Sequence, residues 1–320
     1  MYRAVHFYVL GAVVYICAPK ALHRHQFSNM KHILGITVLA VLGLTAQGQF
    51  YYKDLVTVQQ TNAQWSVLKN NSVKSVKVQS FEGNNQPSDG WSVEQRIMDN
   101  RMITVTVAPI NTKGEETEQD GSPKRTPNLG RSELTAMYNT AGRLVQTIDT
   151  SEDFHSTTTY EYDAAGRISS INNVARSGEF TNTELHVWTY DAAGKPNQML
   201  RIRNNTDTTY VTFVYEGKDV PLEEHGVRKG VKQPVIYYYY DDKNQLTDIV
   251  RYNEKARRLL PTHIFAYNAQ GRVAGMLLIP EGSNEYQRWY YDYDEQGLKV
   301  RERVFNKEQQ LMGKVEFVYE

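Results

Sequence analysis

Beyond residue 131 the chain runs in short stretches that carry aromatic residues two apart, each broken by a turn and restarted by an apolar residue. Anchoring tyrosines stand at Tyr138, Tyr162, Tyr190, Tyr215, Tyr240, Tyr267 and Tyr293, with a half-copy at Phe317-Val318-Tyr319-Glu320. Two places before the later anchors come Tyr160, Trp188, Phe213, Tyr238, Phe265, Tyr291 and Phe317. A spacing of two puts both rings on one face of a β-strand. Each anchor is followed by Asn139, Asp163, Asp191, Glu216, Asp241, Asn268 or Asp294. Asp or Asn at the first corner of a type I turn accepts backbone hydrogen bonds and starts the reversal. Four places after the anchors come Gly142, Gly166, Gly194, Asp219, Asn244, Gly271 and Gly297. These residue types tolerate the left-handed conformation such a hairpin needs on its way out. Leu144, Ile168, Leu246 and Val273 then resume the outgoing strand. The unit is a β-hairpin, and its anchors recur every 24 to 28 residues, counted from these positions. A fixed period of that size is the signature of a repeat architecture.

The expected fold is therefore all-β, a curved antiparallel array of consecutive β-hairpins over residues 132–320. Its structural turn residues are Asp163, Gly166, Asp191, Gly194, Asp241, Asn244, Gly271, Asp294 and Gly297. The phrase Tyr162-Asp163-Ala164-Ala165-Gly166-Arg167, nearly repeated from Tyr190 to Lys195, resembles the YD-repeat (Rhs-type) family of exported bacterial proteins. The resemblance runs from about residue 131 to the C-terminus and implies a scaffold. In large members the repeats spiral into a hollow shell around a toxic C-terminal domain. This chain has too few repeats to close such a shell and ends on a repeat strand, which points away from a toxin.

The N-terminal part reads differently. Met30-Lys31-His32, the apolar run Ile33 to Leu44, and small residues at Ala46 and Gly48 form the pattern of a signal peptide over 30–48. Residues 1–29 lie upstream of this complete signal and read as an over-extended gene start. Val9 to Ala18 is too short to span a membrane. Residues 49–110 are expected to form a β-rich N-terminal cap, since the ends of repeat arrays are atypical. Within it, the periodicity of Tyr51 to Leu68 does not separate a strand pair from a helix. Residues 111–131, with Gly, Pro and an acidic cluster, read as a polar linker or loop.

Processing at Gly48 changes the charge. The full chain holds 36 basic and 36 acidic residues; loss of Arg3, Lys20, Arg24 and Lys31 leaves 32 against 36, a net −4. That gives no support for nucleic-acid binding. Cys17, the single cysteine, lies in the removed part, so the exported chain would have no disulfide. His155, His186, His225 and His263 are scattered without the short spacing of a metal site. The recurrent aspartates are turn-formers by position, and no nucleophile-elbow, phosphate-loop or metalloprotease phrase occurs. No catalytic residue, metal site or cofactor is expected.

The face opposite the aromatic ladder supplies the functional expectation. Positions one and three before the anchors turn apolar in the later repeats, and Tyr237, Tyr239, Ile264 and Tyr290 would fall on one side of the array. An apolar face must be covered, by the N-terminal cap, a loop or a partner. The reading is a non-catalytic scaffold, periplasmic or outer-membrane associated, that binds another cell-envelope protein through these four residues. A carbohydrate-binding module, using the tyrosines to stack on sugars, is the alternative. A glycan-active enzyme built on two carboxylates is the third possibility.

Overall fold

The computed structural model describes residues 48–109, 129–280 and 285–320, together with the backbone of 2–9 and 12–19. Tyr2–Val9 and Ala12–Pro19 pair as an antiparallel two-stranded sheet of their own. The expected signal peptide, apart from Gly48, lies outside the described residues, as do residue 110 of the expected cap and 111–128 of the expected loop.

The remaining strands form one antiparallel barrel in which each pairs with its neighbour in sequence. Ser75–Glu82 is followed by Ser92–Ile97, Arg101–Pro109 and Leu129–Tyr138, and the hairpins continue around to Leu311–Tyr319. That last strand pairs back onto Ser75–Glu82, placing Phe317 opposite Val78 and Tyr319 opposite Val76. Eighteen strands make the ring. Val231–Lys232 is only a short extension on Glu223–Arg228, which itself pairs directly with Ile236–Tyr240.

Two expectations are corrected here. The repeats alone are too few to close, yet the wall closes because three N-terminal strands complete it. Residues 75–109 are thus members of the ring and not a separate cap. Closure also satisfies the backbone groups that an open array would expose along both edges.

Tyr51 to Leu68, where the periodicity left a strand pair and a helix both open, is helical. Tyr51–Val56 forms a π-helical turn that runs into a helix, α1 (Thr57–Asn70). Val58, Thr61, Trp65 and Leu68 are its buried positions, spaced three and four apart on one face. This segment lies inside the barrel. A ring of so many strands is too wide for its own side chains to fill, and the helix supplies the missing volume. Trp65 stacks flat on Tyr138 with centroids 4.0 Å apart, while Tyr52 packs on Phe265 and His263 at 5.4 and 5.5 Å. Leu68 is 1% exposed.

The aromatic ladder faces this lumen. Trp188, Tyr238, Phe265, Tyr291 and Phe317 are all buried. Outward positions such as Lys77, Glu94, Arg96 and Glu161 are exposed. The inner face thus carries most of the aromatic ladder, and the outer face mixes charged residues with exposed tyrosines such as Tyr210 and Tyr239. No helix among the described residues is long and apolar enough to cross a membrane.

Candidate functional site

The repeat phrase builds the wall by a chain of local bonds. At Tyr162–Arg167, the Asp163 amide donates to the Arg167 carbonyl at 2.8 Å and the Gly166 amide to the Asp163 carbonyl at 2.9 Å. Asp163 Oδ1 accepts the Arg167 amide at 2.9 Å. The same pattern recurs at Asp191, Asp241, Asn268 and Asp294. Gly166, Gly194, Gly271 and Gly297 have φ between 76° and 87°, and Asn244 has φ 58°. The Tyr215 copy departs from the phrase: there Glu216 and Gly217 take the positive φ, at 45° and 79°, in place of Asp219.

Sequence reasoning treated the anchoring tyrosines as rings and missed their hydroxyls. From Tyr162 onward each ties its hairpin to the one before. Tyr162 donates to the Leu144 carbonyl at 2.7 Å, Tyr190 to Ile168 at 2.7 Å, Tyr215 to Pro196 at 2.6 Å and Tyr240 to Pro221 at 2.9 Å. Tyr267 donates to Leu246 at 2.7 Å, Tyr293 to Val273 at 3.0 Å and Tyr319 to Lys299 at 2.6 Å. The signal was present: at these seven places tyrosine recurs where phenylalanine would pack equally well. The basic residue that closes the phrase stacks on the next anchor, Arg167 over Tyr190 at 4.3 Å and Arg143 over Tyr162 at 5.6 Å.

Inside, polar groups of the helical segment meet the wall. Asp54 accepts from His186 Nδ1 at 2.7 Å and from Trp188 Nε1 at 3.0 Å. His186 Nε2 lies 2.9 Å from Glu184, which also pairs with Arg201 at 2.7 Å. Burial alone would lower the His186 pKa, but the Asp54 and Glu184 carboxylates outweigh it and raise it to about 9. Burial acts upward on Glu184, yet His186 and Arg201 hold it at about 2. This is an ion-paired seam between plug and wall. No group of three or more metal-ligating side chains occurs among the described residues.

Between α1 and the wall lies a cavity of about 290 Å³ lined by Tyr52, Tyr267, Tyr291, Gln60, Gln64 and Lys299 among others. Lys299 is committed to the buried Glu302 at 2.7 Å. Aromatic faces and amide side chains thus converge on one space.

The four residues expected to bind a partner come out on the outer wall. Tyr239 lies opposite Asp248, Asp248 opposite Ile264, and Ile264 opposite Leu277, in one row across four strands. Tyr237 lies opposite Val250, and Tyr290 opposite Gly275 in the adjoining row. Tyr239 is 49% and Tyr290 40% exposed. Tyr252 and Leu259, an opposed pair, are exposed in the same sector. The N-terminal segment does not cover this face, because it packs on the opposite, aromatic one. The physical reason is volume: the wide lumen is the larger apolar deficit. At the edge of the sector Tyr290 meets Phe305 edge-on at 5.6 Å, and a cleft of about 300 Å³ opens between Arg288, Tyr290, Arg303, Phe305 and Gln309. The Nε atoms of Arg288 and Arg303 are buried there without a hydrogen-bond partner among the described residues.

These features define a class: a closed barrel of consecutive hairpins tied by tyrosine hydroxyls and filled by its own N-terminal helix. Residues 138–177 match the RHS Repeat family, so the hairpins of that stretch are RHS repeats. No curated protein matches the chain. Among solved structures, the Tc holotoxin pore of Photorhabdus luminescens is similar at 12% identity and a TM-score of 0.30, over 72% of this chain. The chain spans only 12% of the length of that one. A porin-like protein from Bacteroides uniformis is similar at 9% identity and a TM-score of 0.36, over 78% of this chain and 98% of that one. A second, from Bacteroides vulgatus, has 11% identity and a TM-score of 0.23.

Proposed function

We propose that this protein is an exported, non-catalytic barrel scaffold that binds another cell-envelope protein through the sector around Tyr239. The observation that carries the reading is the clustering of exposed Tyr239, Tyr252, Leu259 and Tyr290 in one sector of the outer wall. Exposed apolar patches of this kind mark interaction surfaces. Tyrosine and arginine are the side chains most enriched where binding energy concentrates. The guanidinium of Arg288 beside Tyr290 and Phe305, next to an Arg303 already paired with Asp292 at 3.1 Å, favours a partner that presents a carboxylate next to an apolar side chain. Export rests on the leader pattern and on the family's resemblance to secreted proteins. A second reading, a bound saccharide, is favoured by the aromatic and amide lining of the 290 Å³ cavity; binding of the purified protein on a glycan array tests it.

For the first reading the test is Tyr239→Ser. Melting should stay within about 0.5 kcal/mol of wild type, as for an ordinary surface change. Envelope proteins that cross-link to a photoreactive residue at Tyr237 in the wild type should no longer do so. Identical cross-linked products from wild type and variant would overturn the assignment.

A further inference from the structure

The start of the plug carries a second, independent feature. Gly48 and Gln49 both have positive φ, 92° and 67°, and Gln49 is 8% exposed. Gln49 Nε2 donates to Thr262 Oγ1 of the wall at 2.8 Å. Immediately beside them is Glu224, 2% exposed. A methyl group built on Gly48 would lie 3.4 Å from Glu224 Oε1 and 2.9 Å from Ile236. Glu224 Oε2 accepts the Tyr51 amide at 3.0 Å and the Tyr238 hydroxyl at 2.8 Å. All of these donors are neutral. Lys53, the cation of the same turn, acts on Glu224 through space only and gives its hydrogen bond to the Gly48 carbonyl at 3.3 Å. A carboxylate so deeply buried needs a formal positive charge beside it.

We propose that the leader is removed between Gly48 and Gln49, and that the new α-ammonium of Gln49 forms an ion pair with Glu224 inside the barrel. The inference rests on the signal-peptide reading of residues 30–48 and not on partner binding. In the cleavage, water adds across the Gly48–Gln49 peptide bond under a signal peptidase. The carbonyl carbon leaves as the leader's carboxylate, and the freed nitrogen takes a proton. Lys53 then loses its carbonyl acceptor and is free to turn toward Glu224 as well. Gln49 is enclosed in the finished barrel, and an uncleaved chain presents a neutral amide there, where the charge is needed.

The experiment compares two forms of the same exported chain, one beginning at Gln49 and one with Ser-Gly placed before it, so that glycine keeps the left-handed position 48. Glu224→Gln is made in both. The form beginning at Gln49 should melt several degrees above the extended one at pH 7. That difference should vanish in Glu224→Gln. An α-amine has an ordinary pKa near 8, and pairing raises it in the folded state. The advantage should therefore be full below about pH 8 and disappear as pH rises through the higher folded value. Asp54, Glu184, Arg201, Tyr51 and Tyr238 surround the site in both forms, so their titration cancels in the comparison, and Lys53→Met in both forms removes the contribution of the turned lysine. Equal melting of the two wild-type forms would overturn the ion pair. So would an N-terminal mass lighter by one ammonia, since cyclised Gln49 has no ammonium. An exported protein beginning elsewhere than Gln49 would instead overturn the leader reading.

Discussion

The glycine four places after an anchoring tyrosine, as at Gly166, answers two demands at once. At Gly166 the backbone sits at φ 78°, where a Cβ is penalised. The guanidinium of Arg143, from the preceding turn, occupies the space a side chain would take. Arg143 is long and can move, so displacing it forfeits mainly its stacking on Tyr162. The backbone penalty dominates. Gly166→Val should therefore cost about 1–2 kcal/mol or more, whereas Ala165→Val, exposed in the same turn, should cost far less. Equal denaturation midpoints for the two would remove the left-handed turn from the account. The tyrosine hydroxyls act at the same scale. Each is a buried donor with one carbonyl acceptor, of the kind that contributes about 1 kcal/mol.

At the scale of elements, the plug is held by aromatic packing along α1 and by the Asp54–His186–Glu184–Arg201 seam at its start. The seam makes plug docking depend on pH. With a folded pKa of about 9 against an ordinary 6.5, protonated His186 stabilises the fold fully below about pH 6.5. That contribution is lost as pH rises through about 9. It amounts to up to about 3 kcal/mol from a shift of this size. His186→Gln should flatten the fall in stability between pH 7 and 10, measured by urea unfolding at each pH. A wild-type curve level across that range would contradict the ion-paired seam. Glu184, held near 2 by His186 and Arg201, acts at the other end, its share being lost only as pH falls toward that value.

For the whole molecule the deciding feature is closure. Leu311–Tyr319 meets Ser75–Glu82, and Val318 stands opposite Lys77 on the outer surface. Directly opposed residues of adjacent antiparallel strands lie within the reach of a disulfide. The chain from Gln49 onward has no cysteine of its own, so the pair Lys77→Cys and Val318→Cys is a clean probe. Oxidation should give a monomer with an internal disulfide, stabilised by about 2–4 kcal/mol. Free thiols or cross-linked dimers would mean an open array.

What the residues determined by themselves is local. Strand, turn and period are written in the spacing of Tyr162, Asp163 and Gly166 and their copies, because a hairpin depends on contacts only a few residues apart. The outward sector of Tyr237, Tyr239, Ile264 and Tyr290 is likewise readable, since strand alternation assigns each to a face. The helix at Thr57–Asn70 carried its own three-four spacing at Val58, Thr61, Trp65 and Leu68. Glutamines and threonines among them blurred the stripe. Its place inside the ring could not be read, for it depends on the volume left by strands far away in sequence. The same holds for the seam, where Asp54 meets His186 132 residues later, and for Glu224 beside Gly48. Closure itself joins Val76 to Tyr319. Only the accumulated curvature of the whole wall could decide that those two edges meet.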